Sequence, residues 1–344
     1  MRKRSREGRG ASRYTGREVL VVRTPFSAVI VASLALATAL AHVACSDGGG
    51  GAVTPAAGDA STSDATASDG SSGGLPDGGS PGDGASAPGV KLPPTGKVSW
   101  DWQIGAGSDA NVGLPAGVKL LDVDGFDVSA AKVASLKSAG VYTVCYINAG
   151  SYEPNRPDSA SYPQALKVQA DPDWPGEFFL DVTDVFKTDS VLAKILRARF
   201  KMCKDKGFDA LEPDNLQNDE NVGGGKITAQ QQLDFNGWVA DEAHAAGLAV
   251  LQKNGPDKIL LKDRTGKMMV EKFDGILNEQ CQEFDECAAL GEYPKRGKLA
   301  LNVEYKKTLT VDCAAADTLG INSLKKDLPL AGMSGSGYLR QACP

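Results

Sequence analysis

Carboxylates and amides recur in this sequence at the ends of short apolar runs. Trp102 and Gln103 close one run, Asp122 and Asp124 another, and Tyr146 with Asn148 a third. Asp181, Glu212 with Asp214, Lys253 with Asn254, Asn278 with Glu279, and Glu304 with Tyr305 close five more. One Asp after a strand is usually a solvated loop residue; a polar residue of this type at all eight ends is a pattern. Two carboxyl groups held face to face can open an acetal, one protonating the leaving oxygen while the other attacks or activates water. Trp100, Trp102, Tyr146, Tyr152 and Trp174 offer flat faces on which sugar rings could stack, although core packing would account for each tryptophan equally well.

Other chemistries are poorly served. Gly105 to Ala110 spells G-x-G-x-x-A, yet Gly113, Pro115 and Gly117 follow where a dinucleotide site needs a helix N-terminus. The string Asp122-Val123-Asp124-Gly125-Phe126-Asp127 has its glycine too early for a calcium loop and no Glu at the twelfth position. Outside the Gly- and Ser-rich stretch of residues 46–96 no G-x-S-x-G occurs, and the two histidines are His42 and His244. His244 falls within a helical stretch, away from any strand end. Histidine-rich metal centres are therefore excluded, and neither a metal nor an organic cofactor is expected. The formal charge of −6 conceals a basic N-terminus: residues 1–44 hold eight Arg or Lys against Glu7 and Glu18, leaving −12 on the remainder. An acidic body argues against a nucleic-acid partner, which needs a basic stripe.

The elements that must position these residues alternate. Strand-like segments run over 99–103, 118–122, 141–148, 177–181, 210–212, 249–253, 275–278 and 299–303. Helical stretches fall at 129–139, 190–206 and 228–246, with Ser129 as an N-cap and Gly140, Gly207 and Gly247 just past the ends. Shorter ones are expected at 256–262, 284–290 and 311–319. Eight strands alternating with helices in about 250 residues predict a (β/α)8 barrel of TIM type, whose active site forms at the C-terminal ends of the strands. A doubly wound open sheet is the alternative.

Residues 1–45 read as an export signal: a basic region, an apolar run from about Phe26 to Leu40, then small residues before Cys45. That run is short for a spanning helix. Cys45 followed by Ser and Gly resembles a lipoprotein start, with His42 standing where such signals usually carry Leu. Lipidation at Cys45 would make the acyl anchor the one membrane contact; free secretion is the alternative. Residues 46–96, nearly all Gly, Ala, Ser, Thr, Asp and Pro, form a flexible tether, and 97–344 the folded domain. Setting Cys45 aside leaves six cysteines, as expected for an exported domain, and they allow fifteen connectivities. The short loop favours Cys281 with Cys287, and Cys313 with Cys343 would pin the C-terminal tail.

Taken in order, the strings Trp100-Asp101-Trp102-Gln103, Asp122 to Asp127, Cys145-Tyr146-Ile147-Asn148-Ala149-Gly150-Ser151 with Arg156-Pro157-Asp158, Gly207 to Asn215, Lys253-Asn254, Asn278-Glu279-Gln280-Cys281 and Val303-Glu304-Tyr305 resemble glycoside hydrolase family 114. The family's characterised activity is endo-α-1,4-polygalactosaminidase. The resemblance spans about residues 98 to 305 and implies a (β/α)8 barrel that cuts internal α-1,4-galactosamine bonds of an exopolysaccharide. It implies Asp214 as nucleophile or charge-stabilising carboxylate and Glu279 as general acid/base, on the fifth and seventh strands of the list above. Glu212 competes with Asp214. Substrate contacts are expected from Trp102, Gln103, Asp122, Asp124, Tyr146, Asn148, Asp181, Glu212, Asn215, Lys253, Asn254 and Glu304. Retention of configuration is the expected outcome. A non-catalytic carbohydrate-binding barrel, or a hydrolase or transglycosylase of another hexosamine polymer, would carry many of the same residues.

Overall fold

The computed structural model describes residues 89–344. The expected export signal, Cys45 and the tether up to residue 88 lie outside the described residues. Eight parallel strands follow one another around a sheet in sequence order: β1 (Trp100–Trp102), β2 (Leu120–Asp124), β3 (Tyr142–Asn148), β4 (Ala210–Asp214), β5 (Ala249–Lys253), β6 (Gly275–Glu279), β7 (Leu299–Glu304) and β8 (Asn322–Lys326). A short antiparallel strand, β9 (Arg340–Ala342), lines the outer edge of β8. The order never reverses, so the doubly wound alternative is excluded and the fold is a nearly closed (β/α)8 barrel.

Alternation along each strand shows why these residues build a barrel. Leu120, Ala210, Ala249, Leu251, Leu277, Leu301 and Val303 fill the interior as one cluster. Their neighbours Leu121, Val123, Leu211, Val250, Ile276 and Ala300 point outward and pack with the helices in a second cluster. Both faces are apolar, as parallel strands covered by helices require. Helices α1 (Ala130–Ser138), α2 (Val191–Lys206) and α3 (Ala229–Ala245) begin where expected. Ser129, Ser190 and Thr228 cap them by accepting from a backbone N–H three residues on, and Gly207 ends α2 in the left-handed region.

Two strand assignments need correction. The apolar run at 177–181 is a strand, Phe178–Leu180, but it pairs antiparallel with Ser151–Tyr152 and Lys167–Ala170 in a separate three-stranded sheet. This small sheet is an insertion between β3 and β4. The eighth barrel strand is instead β8, reading Asn-Ser-Leu-Lys-Lys, which its polar composition disguises. Asp214 and Glu279 consequently end barrel strands four and six rather than five and seven. They remain on alternate strands.

The seam between β8 and β1 is closed by side chains. Trp100 Nε1 donates to the Asn322 carbonyl at 2.9 Å, the Val98 amide donates to Asn322 Oδ1 at 2.8 Å, and Arg340 Nε donates to the Trp100 carbonyl at 2.9 Å. Lys326 Nζ meets Asp101 Oδ1 at 2.8 Å, both side chains fully buried. The Cys313–Cys343 disulfide ties the short helix α4 (Cys313–Leu319) to the tail beyond β9. Cys281 pairs with Cys287, as its spacing favours, and Cys145 on β3 pairs with Cys203 on α2.

Candidate active site

The interior side chains change character along each strand. Leu120 gives way to Asp122 and Asp124, Ala210 to Glu212 and Asp214, Leu251 to Lys253, and Leu277 to Glu279. An apolar plug thus fills the lower barrel, and charge collects at the C-terminal end, where a cleft of about 390 Å³ opens. Trp102, Asp124, Tyr146, Asn148, Asp214, Asn215, Lys253, Asn254 and Glu279 line it, all read from the sequence as site residues.

Lys253 is the hub. Its side chain is 3% exposed, and its Nζ lies 2.9 Å from Asp214 Oδ1, 3.0 Å from Glu212 Oε1 and 3.4 Å from Glu279 Oε2. The Trp102 ring lies beside it, its centroid 4.8 Å from Nζ. Burial alone would depress the Lys253 pKa, but Asp214, Glu212 and Glu279 raise it well above the usual lysine range. It is a permanent ammonium.

Each cleft carboxylate has its own donors. Tyr146 Oη donates to Asp214 Oδ2 at 3.2 Å and the Asn215 amide to Asp214 Oδ1 at 2.8 Å. Tyr305 Oη donates to Glu279 Oε1 at 2.6 Å, and Asn254 Nδ2 to Glu279 Oε2 at 2.9 Å. Burial, then the adjacent carboxylates, push both phenols well above the usual tyrosine range, so both stay protonated. Asp214 and Glu279 side chains are about one-quarter exposed, at 24% and 27%, and are open to a ligand.

The backbone at this rim is unusual. Asn215, Asn254 and Gln280, the first residues after β4, β5 and β6, all have positive φ, at 61°, 51° and 64°. Three consecutive strands turn sharply just past their functional side chains, the kind of local strain that clusters at working sites. Asn tolerates this region best, which suits the first two positions. Gly150 serves the same corner: a Cβ there would lie 1.9 Å from the Asn215 carbonyl oxygen, while its amide donates to the Asp214 carbonyl at 3.1 Å.

Five expected contact residues lie elsewhere. Asp122 and Glu212 are fully buried beneath the cleft floor. Gln103 is buried, with Nε2 donating to Asp101 Oδ2 at 2.7 Å and Oε1 accepting from the Gly113 and Met333 amides. Glu304 follows Val303 and so faces outward, accepting from Asn302 Nδ2 and the Gln282 amide; the next residue, Tyr305, turns into the cleft. Asp181 follows the inserted strand Phe178–Leu180 and caps the turn of 3-10 helix at Val182–Phe186.

That insertion supplies cleft residues the strand-end reading omits. Glu153, Arg156, Asp171, Trp174 and Glu177 overhang one side of the cleft. Arg156 is consumed there, its NH1 and NH2 donating to Asp124 at 3.0 and 2.6 Å and its Nε to Glu153 at 2.8 Å. Glu177 is pushed up to about 7 by burial, then by Glu153 and Asp171. Trp174 stands out at 59% exposed. The signal available in the sequence was the length of chain between Asn148 and Ala210, too long for a simple strand-to-strand connection.

The glycoside hydrolase family GH114 matches residues 82–344. No curated protein matches the sequence. Among solved structures, the crystal structure of Aspergillus fumigatus Ega3 in complex with galactosamine is 23% identical, with a TM-score of 0.62 over 74% of this chain and 98% of that one. The glycoside hydrolase domain of PelA from Pseudomonas aeruginosa is 13% identical, with a TM-score of 0.50 over 70% of this chain and 97% of that one. At these identities the likeness is one of fold.

Proposed function

The chain belongs to glycoside hydrolase family GH114, and from that premise we propose that it cuts internal α-1,4 bonds of a galactosamine-containing exopolysaccharide with Asp214 and Glu279. The observation that carries this reading is one buried ammonium, Lys253, within 3.4 Å of both carboxylates at the floor of an open cleft. The oxygens facing Lys253 can be no farther apart than those two contacts laid end to end. That favours the close spacing of a retaining pair, about 5 to 5.5 Å, over the wider gap of inverting enzymes, which begins at about 6.5 Å.

In the first step Asp214 attacks the anomeric carbon while Glu279 gives its proton to the leaving glycosidic oxygen. In the second, Glu279 takes a proton from water, which displaces Asp214 and releases the sugar. The partners suit these roles. Asp214 Oδ1 receives the ammonium and a backbone N–H, donors that can never accept, and this favours a standing anion. Glu279 Oε1 faces Tyr305, whose hydroxyl can donate to the carboxylate or accept from the carboxylic acid, so both protonation states are accommodated. Tyr146 and Lys253 hold Asp214 in place as charge leaves it.

The cleft walls favour an amine-bearing polymer. Arg156 and Lys253 are already paired, while Asp171 and Glu177 face the opening beside Trp174. Carboxylates suit sugar ammonium groups, and the indole suits a ring face. Three disulfides fit an oxidising compartment, so we place the enzyme outside the cytoplasm, with Cys45 as a lipid anchor.

Product analysis on α-1,4-galactosamine oligomers of defined acetylation tests the assignment. Shorter oligomers from internal cuts are expected, with faster cleavage when free amines are present. Failure to cleave any member of the series would overturn the substrate.

A further inference from the structure

Two carboxyl groups under the cleft have no part in the steps above. Asp122 on β2 and Glu212 on β4 are fully buried, and none of their four oxygens meets a hydrogen-bond donor in good geometry. Lys253 makes an ion-pair contact with Glu212 Oε1 at 3.0 Å. Both carboxyl groups point into the barrel, two residues on from the interior Leu120 and Ala210, on the alternate strands β2 and β4 that share interior layers, and each feels the other's charge. Ionised carboxylates only accept, so two of them in contact would repel, with one ammonium, already shared with Asp214 and Glu279, to offset them. A single proton turns that repulsion into a charge-assisted O–H···O hydrogen bond.

We propose that Asp122 and Glu212 hold one proton between them and act as a positioning pair: the proton sits on Asp122, the charge on Glu212, and that charge anchors Lys253 between Asp214 and Glu279. Glu212, not Asp122, touches the ammonium, which fixes the direction of the hydrogen bond.

Among the described residues, the groups named around the pair bring no unpaired positive charge besides Lys253. β1 contributes the Trp102 indole, β2 contributes Asp124, which is neutralised by Arg156, and β3 contributes Tyr146. β4 brings Asp214, β5 brings Lys253, β6 brings Glu279, and Tyr305 follows β7. Burial, then the Glu212 charge, hold Asp122 well above the usual carboxylate range. Burial pushes Glu212 upward as well, with Asp214 and Glu279 adding to it, but Lys253 opposes that rise and makes Glu212 the member of the pair that ionises. The pair titrates as a unit and gives up its last proton on the alkaline side of neutrality. With both carboxyls ionised, two anions below compete for Lys253 and draw it away from Asp214 and Glu279. Turnover then falls at alkaline pH for a reason that lies in the enzyme's floor.

The functional consequence rests on the roles proposed for Asp214 and Glu279, but the proton itself can be observed without substrate. In the whole protein labelled with carboxyl-13C aspartate, NMR should show one Asp side chain still protonated at neutral pH and titrating only on the alkaline side of it. If every Asp carboxyl is ionised at neutral pH, the proposal fails. Asp122→Asn should remove that signal. Asparagine cannot lose the proton and donates to Glu212 at any pH, so the alkaline limb of kcat should move up by about one pH unit with KM unchanged. A profile superimposable on wild type would overturn the positioning role even if the proton is found. An enzyme that shows the Asp122 signal yet cleaves no galactosamine oligomer would sink the substrate and leave the pair standing.

Discussion

Lys326 and Lys253 are both buried in this barrel, and they do different things. Lys326 at the β8–β1 seam meets one carboxylate, Asp101, which also accepts from Tyr338 Oη at 2.7 Å and from Gln103. Lys253 at the mouth meets three carboxylates, two of them open to solvent. Burial leaves the Lys326 pKa below the usual lysine value in spite of Asp101, whereas three carboxylates lift that of Lys253 far above it. Burial is common to both. The excess of negative charge and its access to a cleft distinguish a working cation from a structural one, and the seam pair serves to close the barrel where strand pairing does not.

The largest expected effect lies on the cleft side. Glu279→Gln removes the proton carrier but keeps the amide in hydrogen-bonding reach of Tyr305. Release of reducing ends should drop by about 10³-fold in kcat, with the melting temperature close to wild type. Activity within tenfold of wild type would erase the contrast between the two lysines.

On the seam side the effect should appear in stability alone. The Cys313–Cys343 bridge closes a 30-residue separation, worth about 3.5 kcal/mol by loop-closure entropy. The double Ser variant should melt lower by roughly 10 °C and keep its kcat below that transition. A proportionate fall in kcat would show that the seam reaches the chemistry.

The smallest effect sharpens the cleft side. Glu177 is pushed up to about 7 from 4.5, mainly by burial. The folded state therefore holds this proton more tightly than the unfolded chain does. Its contribution to stability is complete below about pH 4.5 and is lost as pH rises through about 7. Glu177→Gln should flatten the decline of melting temperature over that window in a calorimetric series, and an unchanged slope would contradict the assignment.

Much of this was legible in the sequence, for a physical reason. Parallel strands under helices are apolar on both faces, so the polar residues that interrupt them, Asp214, Lys253 and Glu279 among them, stand out at the ends where the site forms. Legibility failed where polarity was inside the fold. Asn322 and Lys326 keep β8 from presenting an apolar run, although both are buried at the seam. Glu304 stands at a strand end, but strand phase turns it outward and Tyr305 inward. Asp122 and Glu212 share the cleft phase but sit one step too low, and depth along a barrel axis has no signature in a single sequence. The insertion between β3 and α2 brings Glu153, Asp171 and Glu177 over the cleft through tertiary packing.

A matched pair of variants, Asp214→Asn and Asp101→Asn, measured for both kcat and melting temperature, tests the central contrast most directly. Each replaces a carboxylate that touches a buried lysine with its neutral isostere. Asp214→Asn should lose about 10³-fold in kcat or more and keep its melting temperature. Asp101→Asn should keep kcat and melt lower by on the order of 10 °C, because it strands a buried ammonium. Near-wild-type turnover by Asp214→Asn would contradict the account.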